Sequence, residues 1–219
     1  MPQLSNSLAE LAARVAELEA EREMTLRLAQ TDSLTGLVNR GAFTSGLCER
    51  LEAARENGDQ VALFVIDLDR FKSLNDSLGH HAGDMLLAEL GQRLREDAQA
   101  GELIARLGGD EFAVISGDRD VTRRAERLIA TLSQQHTIYG RTVGSGGSVG
   151  VAVFPRDAGD AIDLQRFADM ALYRAKSGGG RRWHEFDAEL SAESERRRTL
   201  EGELRRAIPA GEIEPWFQP

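Results

Sequence analysis

The chain has 219 residues, 41% of them hydrophobic and 29% charged, with a formal net charge of -9. That length carries one globular domain of about 150 to 180 residues plus appendages, and 27 basic against 36 acidic residues argue against a nucleic-acid or anionic-membrane partner. The single cysteine, Cys48, excludes an intrachain disulfide, and no apolar run reaches the roughly 18 residues of a membrane span; with no signal peptide at the start, a cytoplasmic location is expected, leaving open an anchor elsewhere in a longer protein.

Residues 1–30 form a separate unit. Leu4, Leu8, Leu11, Val15 and Leu18 recur at spacings of four and three, a heptad stripe. Such a stripe either pairs two helices or packs on its own domain. Pairing is favoured, because no core pattern follows until about residue 31. The stripe breaks at Arg22, so this coiled coil is short or is the end of a longer one.

The central region, residues 31–184, begins with a helix expected over 40–55. The run Val61 to Ile66 is continuously apolar between Gly58-Asp59 and Asp67, which predicts a buried central strand. A helix is predicted over 82–98, with Met85, Leu86, Leu90 and Leu94 at helical spacing. Two short apolar runs, 103–107 and 112–115, flank Gly108-Gly109-Asp110-Glu111 and read as a β-hairpin. A helix over 121–134, a Gly-rich approach, a strand over 148–154 ended by Pro155, and a helix over 164–176 complete the region. The order predicts a mixed α/β (α+β) fold, with helices covering a central, mostly antiparallel sheet. In the tail, 185–219, residues 189–207 read as an exposed helix. The chain stops at Trp216-Phe217-Gln218-Pro219, whose aromatic side chains call for burial.

Chemistry concentrates at one sheet end. Asp67 directly follows the buried strand, and Asp110 and Glu111 sit in the hairpin turn. Adjacent strands lie about 4.8 Å apart, so pairing of the hairpin beside the 61–66 strand would converge three carboxylates. Clustered carboxylates repel unless a cation neutralises them, and hard oxygen ligands suit magnesium, especially when phosphates complete the shell. A lone Gly-Gly-Asp, by contrast, is more simply a turn.

The match extends far beyond that tripeptide. Gly108-Gly109-Asp110-Glu111-Phe112, preceded by Arg106-Leu107, is intact. Asp67-Leu68-Asp69-Arg70-Phe71-Lys72 runs on to Asn75-Asp76, Gly79-His80 and Gly83-Asp84. Asp32-Ser33-Leu34-Thr35-Gly36-Leu37 with Asn39-Arg40 precedes them; Ser148 to Ala152, and Ala168-Asp169 through Ala171-Leu172-Tyr173 with Ala175-Lys176, follow. In these five motifs, over about residues 30–184, the chain resembles the GGDEF family of diguanylate cyclases. The resemblance implies the family's nucleotide-cyclase, polymerase-palm-like fold. It also implies condensation of two GTP into cyclic di-GMP and pyrophosphate by a homodimer.

It further implies two Mg2+ ions per site, with Mn2+ as a substitute. Asp67, the Leu68 carbonyl and Asp110 would hold them, with Glu111 beside them as a ligand or as the base for the 3′-hydroxyl. Lys72 would face the phosphates. Asn75, His80 and Asp84 would read ribose and guanine. Gly108 and Gly109 would admit the triphosphate close to the backbone, and Lys176 would hold its terminal phosphates. Read without the family, Asp84 equally suits a helix cap, Lys176 a helix end and Asn75 a turn.

Two departures qualify the resemblance. Many members carry an Arg-x-x-Asp product-binding site ending six residues before the first motif glycine; here those positions are Gln99 and Glu102, so no feedback inhibition through it is expected. The arginine often found four residues after the Lys176 position is Gly180, and Arg181 is the candidate replacement. The tail, from Arg198, Leu200-Glu201 and Leu204-Arg205 to Trp216-Phe217-Gln218-Pro219, resembles the start of an EAL domain. An upstream sensor and a downstream EAL cyclic di-GMP phosphodiesterase are therefore expected partners in a longer protein. The competing reading is a catalytically weak GTP-binding module that regulates that phosphodiesterase.

Overall fold

The computed structural model describes residues 29–187 continuously, with 14, 15, 17, 18, 189, 190, 200, 203–212 and 216. Its elements are β1 (Val38–Asn39), α1 (Arg40–Asn57), β2 (Val61–Leu68), α2 (Phe71–Leu78), α3 (His80–Glu96), β3 (Leu103–Gly108), β4 (Glu111–Ser116), α4 (Val121–Leu132), β5 (Gln135–Ile138), β6 (Arg141–Gly144), β7 (Gly147–Phe154), α5 (Ala161–Ser177) and β8 (Trp183–Glu185).

The apolar run at 61–66 sits where its composition demands. β2 lies inside a six-stranded sheet of order β1-β3-β4-β2-β7-β8, between antiparallel partners β4 and β7. Its side chains alternate between two cores. Val61, Leu63 and Val65 join Phe43, Leu47 and Leu51 of α1 and Leu164, Ala168 and Leu172 of α5. Ala62, Phe64, Ile66 and Leu68 join Leu86, Leu90 and Leu94 of α3 and Ala125, Leu128 and Leu132 of α4. Both faces are thus covered, which is why this strand reads as unbroken rather than alternating. The expected α/β architecture, a mostly antiparallel sheet under helices, is the one observed.

Local chemistry sets the helix starts. Asn39, Asp120 and Asp160 each accept a backbone amide in the first turn of α1, α4 and α5, satisfying donors with no intrahelical partner. α5 then lies unusually close to β7. A Cβ at Gly150 would stand 2.1 Å from the Ala168 carbonyl oxygen and 2.2 Å from the Leu172 amide nitrogen. Gly150→Ala is therefore expected to lift α5 from the sheet and cost about 1–3 kcal/mol, read as a lower urea midpoint.

Three features escape the hydrophobic pattern. Between Asp67 and the predicted helix at 82, residues 71–78 form a helix of their own, joined to α3 through Gly79 at φ +86°. The Gly-rich approach contains the hairpin β5–β6. The outer strands β1 and β8 add in parallel, and Phe186 beyond β8 stacks on Phe167 at 4.1 Å between ring centroids. Leu4, Leu8 and Leu11 of the heptad stripe lie outside the described residues; Val15 and Leu18 are helical and half exposed. Residues 203–210 are helical, whereas Arg198, Glu201 and Phe217–Pro219 lie outside the described residues. Among the described residues no helix is long and apolar enough to cross a membrane.

Candidate active site

The hairpin β3–β4 brings the motif to the end of β2. Asp67 stands directly opposite Glu111 on β4 and Ser148 on β7, and the Leu68 amide donates to the Asp110 carbonyl at 3.3 Å. The turn requires its glycines: Gly108 has φ +137° and Gly109 φ +54°, conformations that side chains resist.

Each acid on the paired strands already has a cation. Lys176, at the last turn of α5, lies 2.6 Å from Asp67 Oδ2. Arg40, the first residue of α1, donates from Nε to the Leu107 carbonyl at 2.7 Å and reaches Glu111 Oε2 from Nη2 at 3.4 Å. Burial pushes the Asp67 carboxyl above its ordinary range; Lys176 opposes this, and the negative charges of Asp110 and Glu111 add to it. The three carboxylates therefore share one electrostatic field, although among the described residues no three His, Cys, Asp or Glu side chains close into a ready cage. That arrangement fits magnesium, which keeps water and phosphate ligands and needs only one or two protein carboxylates.

The turn is braced from the start of the domain. Arg106 donates from Nε and Nη2 to the Gly109 carbonyl (3.1 and 2.8 Å) and from Nη1 to both oxygens of Asp32 at 3.1 Å. Burial works to raise the Asp32 carboxyl, but the hydroxyl and amide of Thr35 and the Arg106 guanidinium outweigh it and hold the group below the usual range. Asn39 caps α1 and also donates from Nδ2 to the Ala29 carbonyl at 2.8 Å. The segment entering the domain is thus bonded to the residues framing the turn. Sequence reading quoted Asp32, Asn39, Arg40 and Arg106 as matching positions without giving them a task.

Lys72 and Asn75 lie on α2; Lys72 is exposed, and Asn75 packs against Gly83, where a Cβ would stand 2.0 Å from Asn75 Oδ1. That oxygen is buried without a hydrogen-bond partner. His80 opens α3 and Asp84 lies in its second turn; both are exposed, and α3 starts at Gly79 without a side-chain cap, so capping does not account for Asp84. Asp169, one face with Lys176 on α5, stands within the field of Glu111 and Arg40. The Arg181 amide donates to Asp69 Oδ2 at 2.7 Å, and its side chain crosses Gly146. Asp69 too was quoted in a motif without a task; its other oxygen accepts from the Ser148 hydroxyl at 2.8 Å.

A family profile described as "Diguanylate cyclase, GGDEF domain" matches residues 29–182. The chain is 39% identical over 187 residues to the diguanylate cyclase TpbB of Pseudomonas aeruginosa, covering 82% of this chain and 43% of that protein. It is 35% identical over 203 residues to the bifunctional diguanylate cyclase/cyclic di-GMP phosphodiesterase MucR of the same organism, covering 91% of this chain and 30% of that one. Among solved structures, the coiled coil and GGDEF domain of DgcB from Caulobacter crescentus, in complex with c-di-GMP, superposes with a TM-score of 0.74 at 31% identity, over 83% of this chain and 98% of that chain. The chain spans less than half the length of these curated relatives. With the motif hairpin, the strand-end acid and the profile all falling on the same residues, the chain belongs to the GGDEF diguanylate cyclase family.

Proposed function

We propose that this domain condenses two GTP molecules into cyclic di-GMP and pyrophosphate, as a homodimer of cytoplasmic GGDEF domains. The observation that carries the reading is the facing of Asp67 and Glu111 across adjacent strands, with Asp110 in the turn beside them. Asp67, the Leu68 carbonyl and Asp110 would hold two magnesium ions, or manganese in their place, with Glu111 adjoining. Metal bound there would supply charge neutralisation at the phosphates and acidify the attacking hydroxyl. Glu111 takes the 3′-hydroxyl proton as that oxygen attacks the α-phosphate of the other GTP and pyrophosphate leaves. Lys72 and Lys176 stabilise charge on the phosphates. Gly108 and Gly109 leave room for the triphosphate at the turn.

The unpartnered Asn75 Oδ1 supports a nucleoside site, since a buried acceptor needs a donor. Guanine and ribose supply such donors, and Asp84 and His80 complete that wall. One domain presents one GTP, so two must meet, and the N-terminal heptads are the means of pairing them.

Freedom from product inhibition rests on a specific arrangement. The Glu102 side chain is 1% exposed, and Arg124 takes both its oxygens, at 2.7 and 2.8 Å. The acidic position of that site is thus already paired, and the arginine position carries Gln99. In the longer protein, an upstream sensor and an EAL phosphodiesterase flank this domain. A second reading, a weakly active GTP-binding regulator of that phosphodiesterase, is favoured by Gly180 in place of a phosphate-binding arginine.

Incubation with GTP and Mg2+ and chromatography for cyclic di-GMP tests the reading. Product should form at a specific rate that rises with protein concentration as dimers assemble, and added cyclic di-GMP should not slow it. A GTP-bound dimer that makes no product would sink the cyclase reading and leave the regulatory one.

A further inference from the structure

Hairpin β5–β6 forms a two-stranded sheet of its own, outside the six-stranded ladder. A lone hairpin is marginally stable without side-chain packing, so its inner side chains must hold it. On β5 these are His136 and Ile138, each 1% exposed; on β6 only Val143 is half-buried.

His136 joins three elements. Its Nε2 lies 2.8 Å from Ser145 Oγ, just beyond β6, and its Nδ1 lies 3.1 Å from Glu89 Oε2 on α3. The Ser145 hydroxyl donates to the Leu132 carbonyl at the end of α4 at 2.6 Å, with the Gln134 carbonyl behind it at 3.3 Å. A hydroxyl has one hydrogen, so the ring must be the donor to Oγ, which assigns the ring hydrogen to Nε2. Nδ1 is left as a bare lone pair, buried without a hydrogen-bond partner.

The charges around the ring are already balanced. Glu89 Oε1 takes Arg93 Nη2, one turn on along α3, and the same nitrogen donates to the Gln135 carbonyl at 2.8 Å. Glu89 and Arg93 are the charged groups that act on the ring; α4 presents only the Leu132 carbonyl, through Ser145, and β6 sets apolar Val143 opposite. A proton on Nδ1 would place a second cation on one carboxylate and leave a net positive charge inside the protein, which is costly. Burial holds the imidazole below its ordinary range; Glu89 opposes this, and Arg93 adds to it.

Ser145 also opens the segment that reaches the site. The Gly146 carbonyl accepts the Asp69 amide at 2.9 Å, Gly147 pairs with Leu68, and Ser148 pairs with Asp67. We propose that Glu89, His136 and Ser145 form a proton-sensitive latch: neutral His136 clamps hairpin β5–β6 to α3 and α4, and protonation releases the hairpin and loosens residues 145–148 beside Leu68 and Asp67. His136 is then a positioning residue, and acid slows the domain. Only that effect on turnover rests on the cyclase reading above.

A released His136 takes up a proton near its ordinary value of about 6.5, and the clamped ring does so only at lower pH. The latch is therefore at full strength above about pH 6.5 and weakens as pH falls toward the value of the clamped ring.

Hydrogen exchange with no nucleotide added, from about pH 7.5 to about 5.5 across the histidine range, tests the latch once rates are corrected for chemical exchange. Protection at residues 135–144 should fall with acid, by at most about tenfold per pH unit for one proton. It should stay below that of β4, which marks local opening. His136→Gln keeps an amide that can donate to Ser145 but cannot titrate, so its hairpin protection should be flat. In wild type the His136 ring signal in an NMR titration should move below about pH 6.5, a reading that needs no variant. The proposal is overturned if wild-type hairpin protection is constant or rises with acid, if His136→Gln keeps the same pH dependence, or if the ring titrates above the ordinary value. A wild-type protein whose hairpin opens with acid yet yields no cyclic di-GMP sinks the cyclase reading alone.

Discussion

Asp110→Ala is expected to reduce cyclic di-GMP formation by at least about 10²- to 10³-fold, the loss typical of removing one electrostatic stabiliser of a transition state. Stability should barely change. Asp110 is in the turn, and its bond to β2 is made by its carbonyl, which alanine retains. The left-handed positions of the turn are Gly108 and Gly109, not Asp110. A melting temperature within about 2 °C of wild type is expected for such a surface change. Asp67→Asn should give a comparable rate loss for a second reason. Lys176 then faces a neutral amide instead of the carboxylate it meets at 2.6 Å. Initial rates from single-turnover and steady-state assays check both variants, and an Asp110→Ala protein of wild-type rate would remove this carboxylate from the chemistry.

The largest stability effect is expected far from that site, at Arg124. Its side chain is fully buried and bound to Glu102 through Nε and Nη2 and to Asp97 through Nη1 at 2.5 Å. Asp97 also pairs with Arg127 on the exposed side of α4. Burial alone would weaken the hold of Arg124 on its proton, but the bonds to Glu102 and Asp97 outweigh it and push its pKa up. Deleting the arginine leaves the buried Glu102 without its partner, a change that typically costs about 3–5 kcal/mol. Arg124→Ala should therefore unfold at much lower urea. Replacing both partners, with Arg124→Met and Glu102→Leu, should recover most of the loss, because an apolar pair of similar volume avoids desolvating charge. A double variant no better than Arg124→Ala would mean that Asp97 carries the cluster.

The two sites differ in how openly the sequence declares them. The continuous run Val61 to Ile66 could only be a buried strand, and Asp67 then had to emerge at its end. Gly108-Gly109 between two apolar runs required a hairpin, since only glycine takes both turn conformations cheaply. Helix α2 was less legible: its eight residues, with Lys72, Asn75 and Asp76 among them, bury no side chain completely. Hairpin β5–β6 hides for a related reason. Only His136 and Ile138 of β5 are buried, so no apolar alternation announces it.

The sequence by itself determined the local parts: the strand-end acid, the turn that carries Asp110 and Glu111, and the family resemblance that names their chemistry. These depend on neighbours a few residues apart, within reach of pattern and propensity. Only the tertiary structure decided who faces whom. It set Lys176 on Asp67 across 109 residues, Arg40 on Glu111 across 71, Arg124 on Glu102, and Asp69 against Gly180 and Arg181. Such pairings follow from strand register and helix packing, which two distant side chains cannot encode alone. They explain why positions read singly as a helix end or a motif residue meet partners distant in the chain.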